Sequence, residues 1–160
     1  MKKILTLIAC SVILFSCNKE DDPKKVLRKI TVSEITITKY PAANSTGSGW
    51  DIGSGPDIYP TIELNGVEIY DSPDYYGDVN NPNEEYKFPV ATPLKLDPNV
   101  NYTLRLHDLD PTSSEFMIST QFKFTEAQDK DDGNPLIDKV EFNGTSLSYR
   151  FTVAFQYDYL

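Results

Sequence analysis

The chain has 160 residues, with 24 Asp and Glu against 15 Lys and Arg, one His, two Cys and a formal charge of -9. So acidic a surface repels nucleic acid and bulk anionic lipid, which excludes both as partners held by charge alone. One histidine and two cysteines leave too few ligands for a zinc cage and no framework of disulfides.

Residues 1–16 read as a lipoprotein signal peptide. Lys2 and Lys3 give a positive start, and Ile4 to Phe15 is an apolar run of signal length, too short to span a bilayer. The run ends in Leu14-Phe15-Ser16-Cys17, which resembles a bacterial lipobox; Cys17 is then the acylated N-terminus, the alternative being ordinary secretory cleavage nearby. Cys10 lies inside the apolar run as a small hydrophobe, so acylation of Cys17 leaves no disulfide partner. Residues 17–25 form an acidic tether. Its Asn18-Lys19-Glu20-Asp21-Asp22 resembles the signals that sort lipoproteins to the outer surface of Gram-negative bacteria, or is simply solvated linker. The expected location is the bacterial outer membrane, lipid-anchored and exposed at the surface.

Residues 26–160 are of ordinary single-domain size, roughly 130 residues and enough for one core. Helical periodicity is missing and Pro, Gly and Asn punctuate the chain at short intervals, the pattern of an all-β domain. Leu27 to Tyr40 is the first predicted strand; its apolar parity switches between Ile30/Val32 and Ile35/Ile37, which predicts a bulge near Ser33 or Glu34. After a long loop from Pro41 to Asp57, Asn65-Gly66 predicts a hairpin within Thr61 to Tyr70. A polar loop bearing tyrosines runs from Asp71 to Asn83. Alternation resumes at Tyr86, Phe88 and Val90, and Pro93 and Pro98 bracket a predicted turn.

In the next strand Tyr102, Leu104 and Leu106 share one face and Thr103, Arg105 and His107 the other. Phe116, Ile118, Phe122 and Phe124 mark another. Asp129 to Asn134 has the look of a calcium-loop start, but its Gly is misplaced and the closing Glu is missing, which leaves a solvated turn. A second Asn-Gly turn at Asn143-Gly144 precedes unbroken alternation from Leu147 to Tyr159. Seven or eight strands joined by loops read as an antiparallel β-sandwich.

Between two of these strands lies the richest chemistry. Asp108 and Asp110 follow at the strand's end and, with Glu115 five residues further on, can converge on one point of a loop, all three ionised at neutral pH unless something shifts them. Like charges about 4 Å apart repel by roughly 4 kcal/mol at an effective dielectric near 20. A cation relieves that repulsion, and oxygen ligands on loops suit calcium better than zinc or copper.

In the long loop, WDIGSGPDIY places Asp51 and Asp57 six residues apart. This resembles the first loop, D-x5-D-P-Y, of the calcium- and lipid-binding C-two domain first defined in protein kinase C, with Ile58 in place of Pro. NPNEEYKF, Asn81 to Phe88, is similar to the family's N-P-x-W-N-E signature without its Trp, and DLDPTSSEFMIS is similar to its third loop, D-x-D-x5-D, with Glu115 one residue early and Ile118 replacing a Gly. The three motifs stand in the family's order. The resemblance implies an eight-stranded antiparallel sandwich, and one strand ahead of the first acidic loop implies the circularly permuted, type II order. It also implies calcium as cofactor, held by the side chains of Asp51, Asp57, Asp108, Asp110 and Glu115 with the backbone carbonyls of Trp50 and Leu109. Several of these carboxylates would bridge two ions and leave the site near neutral. Ser113, Ser114 or water could stand in for Glu115.

The partner implied by the resemblance is phospholipid. The basic strand patch that helps many members bind acidic lipid is acidic here, EIYDSPDYYGD from Glu68 to Asp78, so docking would rest on the metal. Trp50, Tyr75 and Tyr76 are further candidates for partner contact, set against simple packing on their own loops. No catalytic constellation is legible: His107 points away from the core face, where a solvated residue is expected, and the two Gly-Ser-Gly pieces contain no nucleophile elbow. The expected function is non-enzymatic, calcium-dependent docking to membrane phospholipid or another surface partner. Two rivals are a glycan- or protein-binding module in which calcium is structural, and a metal-free accessory lipoprotein with an immunoglobulin-like sandwich.

Overall fold

A computed structural model describes residues 27–111, 113–125, 138–143 and 149–159. The signal peptide, Cys17, the acidic tether, the segment 129–134 and Gly144 lie outside the described residues.

The described residues form eight strands: β1 (Leu27–Lys39), β2 (Ile58–Leu64), β3 (Val67–Asp71), β4 (Tyr86–Leu96), β5 (Tyr102–Asp110), β6 (Ser113–Phe122), β7 (Asp138–Asn143) and β8 (Arg150–Tyr159). They make two four-stranded antiparallel sheets, ordered β4-β1-β8-β7 and β3-β2-β5-β6. This is the expected eight-stranded sandwich in the permuted order, with one strand before the first acidic loop and β8 beside β1 at the centre of its sheet.

Local sequence accounts for much of the register. The ladders of β1 with both β4 and β8 shift between Val32 and Glu34, and the displaced Ser33 donates its hydroxyl to the Ala154 carbonyl at 3.1 Å. One extra residue turns the parity over, so Ile30, Val32, Ile35 and Ile37 all reach the core. The β2–β3 turn has φ of 52° at Asn65 and 78° at Gly66, the left-handed pair that a tight hairpin needs. Tyr149, Phe151 and Phe155 on or beside β8, with Phe88, Phe122 and Phe124, fill the space between the sheets.

The turn bracketed by Pro93 and Pro98 is corrected. β4 runs through both Pro89 and Pro93 to Leu96, and the chain turns only beyond it, at Asn99 with φ 61°. β4 is an edge strand, so its prolines forfeit no bond to an outer neighbour, and the ladder jumps from Pro89↔Glu34 to Leu94↔Val32 around them.

Candidate functional site

The acidic end of the molecule is built by β5. Alternation that buries Tyr102, Leu104 and Leu106 also carries Asp108 inward, and its side chain is only 1% exposed. Sequence places Asp108, Asp110 and Glu115 on one flexible loop; that is corrected. β5 continues to Asp110 and β6 begins at Ser113, so the expected third loop is a tight turn about Pro111: alternation runs on through Asp108 in β5, and Ser113, Ser114 and Glu115 pair with Asp110, Leu109 and Asp108. Glu115 stands on β6, opposite Asp108 in the ladder, and is exposed.

The long loop closes over this strand end. The Asp57 amide donates to Asp108 Oδ1 at 2.7 Å, and its carbonyl accepts from the Leu109 amide at 2.8 Å. Asp57 Oδ1 in turn accepts the Asp78 amide at 2.7 Å, with Asp78 at φ 53°. Val79 fastens the second loop to the first: its amide donates to Pro56 at 3.0 Å, and its carbonyl accepts the buried Tyr40 hydroxyl at 2.9 Å. A Cβ on Gly55 would lie 1.9 Å from the Val79 carbonyl oxygen, so only glycine lets the loops approach this closely.

Burial first, then the charges of Asp51, Asp110 and Asp57, raise the Asp108 carboxyl to about 6 against the pull of the Asp57 amide. Asp51, half-buried, is also raised, by desolvation and then by Asp110, Asp57 and Asp78. Asp51, Asp57, Asp108 and Asp110 therefore share one field. Glu115 is not among the charges that raise Asp51 or Asp108. Asp78 belongs to the group although the sequence did not single it out; the signal was Gly77-Asp78 after a tyrosine pair, but nothing local says which loop it meets.

Asp108 Oδ2 is buried and has no hydrogen-bond partner among the described residues. Leaving such an atom unsatisfied costs on the order of 1–3 kcal/mol, more when charged. Among the described residues no three His, Cys, Asp or Glu side chains stand at ligand spacing, so the carboxylates converge without forming a closed cage. The donor set nevertheless suits a hard cation: all oxygen, carried by two loops and the end of β5, with one buried oxygen unspent.

The other candidates separate. Trp50, just before Asp51, is half-buried and donates its indole N–H to the Pro41 carbonyl at 2.8 Å, bracing the loop base. The Tyr76 ring packs edge-on against Tyr86 and Phe88 and its hydroxyl donates to Lys87, a structural use of that side chain. Tyr75 is 55% exposed. Ile52, at the acidic end beside Asp51, is fully exposed, and Leu109 is 37% exposed at the end of β5. His107 is not the solvated residue expected: it is half-buried, stacked on Tyr59 at 5.2 Å, and desolvation lowers its pKa.

No family model and no curated protein matches the chain. Solved structures of C2 domains, the C-two family that the loop motifs resemble, are similar in fold. One structure of a C2 domain is 10% identical, covers 82% of this chain and 98% of its own, and superposes with a TM-score of 0.49. A structure of the paired C2 domains of extended synaptotagmin 2 is 13% identical, covering 98% of this chain and 49% of its own, with a TM-score of 0.46. A C2 domain protein from Ramazzottius varieornatus is 10% identical over 84% of this chain and 92% of its own, with a TM-score of 0.42. At such identities and scores these likenesses concern shape and assign no residue a role.

Proposed function

We propose that the chain is a calcium-dependent docking module without enzymatic activity, tethered by an acyl group on Cys17 to a bacterial outer membrane. Asp51, Asp57, Asp108 and Asp110 hold the cation, with Asp78 and Glu115 in reach of the same end. The cation supplies a positive centre to which a phosphate on a phospholipid surface binds. The observation that carries this reading is the buried Asp108 carboxylate, whose Oδ2 has no partner among the described residues while three further aspartates add their charge to it.

The protein's own residues do the rest. Asp57 orients Asp108 through its amide, Gly55 and Val79 hold the two acidic loops together, and Trp50 braces the loop that carries Asp51. Ile52 and Leu109 flank the carboxylates as exposed apolar groups able to enter the headgroup region once the charge behind them is neutralised.

The test is sedimentation of the chain, with Cys17→Ala to prevent acylation, with vesicles of phosphatidylcholine and phosphatidylserine in calcium, in magnesium and in EDTA. Calcium-dependent sedimentation that Asp108→Asn abolishes and Ile52→Ser weakens supports the reading. A calcium-induced rise in melting temperature without vesicle binding would favour the alternative in which calcium is structural and the exposed Tyr75 loop meets a different surface partner. Acylation is checked separately, by incorporation of labelled fatty acid that Cys17→Ala removes.

A further inference from the structure

The side of the β3-β2-β5-β6 sheet that faces away from the core carries a row of rings. Tyr59 on β2, His107 on β5 and Phe116 on β6 stand opposite one another across three adjacent strands. Tyr59 and His107 stack with 22° between their planes, and Phe116 meets His107 edge-on at 6.2 Å. Arg105 lies alongside, its guanidinium 5.4 Å from the centre of the Phe116 ring and its Nε 2.8 Å from Glu63 Oε1, a charge contact bent off the hydrogen-bond line. Thr61 Oγ1 is 3.3 Å from His107 Nε2. Phe116 remains 49% exposed. Cross-strand ring pairs such as Tyr59–His107 stabilise the sheet, but outward positions with one solvated face are ordinarily polar, and the exposed Phe116 ring extends the row into solvent.

We propose that this face binds a neutral glycan chain, with sugar rings against Tyr59 and Phe116 and their hydroxyls on the Arg105–Glu63 pair. A hexopyranose has an apolar C–H face and a rim of hydroxyls that both donate and accept. An exposed ring beside a guanidinium and a carboxylate offers the complement of both. Charge selects a neutral ligand: Arg105 and Glu63 offset each other at the centre, while Glu68 and Asp71, opposite Glu63 and Thr61 on β3, repel anions. A second copy of the chain would set these acids against themselves across a two-fold axis. A large apolar protein partner finds too little surface, since Phe116 is the only ring of the row that is largely exposed. Because the side chains already brace one another, little ordering accompanies binding.

The face lies on the opposite side of β5 from Asp108, so glycan binding requires no cation and stands or falls apart from the docking reading. The test is calorimetric titration of the chain, with Cys17→Ala to prevent acylation, in EDTA with neutral hexasaccharides of glucose, mannose, galactose and xylose in both anomeric linkages. The expected result is saturable binding of at least one, weakened tenfold or more by Phe116→Ala and by Tyr59→Ala, kept by Phe116→Tyr and unchanged by Asp108→Asn. Phe116→Thr, which suits an exposed strand position, replaces Phe116→Ala if the latter fails to fold. Absence of binding to every hexasaccharide at millimolar concentration, binding indifferent to both ring deletions, or binding lost with Asp108→Asn would overturn the proposal.

Discussion

The amide of Asp57 reaches Asp108 Oδ1 at 2.7 Å and thereby fixes the one acidic side chain that β5 buries, leaving its second oxygen without a partner among the described residues. The same residue accepts the Asp78 amide on its own carboxylate, so two loops and a strand end meet through Asp57. A network with one member unsatisfied destabilises the fold it sits in, and it is the arrangement that a bound cation would complete.

Asp108→Asn keeps an oxygen for the Asp57 amide and removes the buried charge. Without metal at pH 7 the variant is expected to be more stable than the parent, by less than the roughly 3 kcal/mol that corresponds to a carboxyl displaced from 3.8 to about 6, because the Asn amide nitrogen takes the place of the unpartnered Oδ2, and to lose its response to calcium. Urea unfolding of both proteins in EDTA measures the difference.

The pH dependence follows from the direction of the same shift. Asp108 has a folded pKa above its unfolded value, so its ionisation opposes folding: the penalty is absent below about 4, grows between 3.8 and about 6, and is complete above that. Stability in EDTA is therefore expected to fall as pH rises through this window. Asp51, also raised, acts in the same sense. In saturating calcium the fall should flatten, which melting temperatures from pH 4 to 7.5 would show.

Gly55→Ala places a methyl group where the Val79 carbonyl oxygen already lies, 1.9 Å away. The loops must part, at a cost of about 1–3 kcal/mol. Tyr40 then loses its acceptor or moves with it. The variant is expected to melt lower and to bind calcium more weakly, since Asp51 and Asp57 lie on the displaced loop. Calcium titration followed by calorimetry reads the affinity, and the melting temperature reads the fold.

Gly66→Ala provides the contrasting case. Gly66 has φ 78°, which an alanine adopts at a cost of about 1–2 kcal/mol, and it sits at the end of β2 remote from Asp57. The expected result is lower stability with calcium affinity unchanged. If affinity fell as much as in Gly55→Ala, the loss there would reflect general destabilisation and not loop geometry.

Features written into neighbouring residues were legible in the sequence. The parity switch between Val32 and Ile35 is a bulge, and Asn65-Gly66 is a tight turn, because both are decided within a few residues. Pro93 misled because its meaning depends on whether β4 lies at an edge, which only the sheet order decides. The loop drawn around Asp108, Asp110 and Glu115 failed for a related reason: charge suggested a loop, yet alternation ran on through Asp108 and made it a buried strand residue. Asp78 and the outer ring row Tyr59–His107–Phe116 were not legible, since each depends on which strands and loops become neighbours.

The measurement closest to the central claim is thermal unfolding of the chain, with Cys17→Ala to prevent acylation, in EDTA, in millimolar calcium and in millimolar magnesium, beside Asp108→Asn under the same conditions. The account predicts a calcium-selective rise in the melting temperature of the parent and none in the variant. Equal melting temperatures with and without calcium, or a rise that Asp108→Asn retains in full, would contradict it.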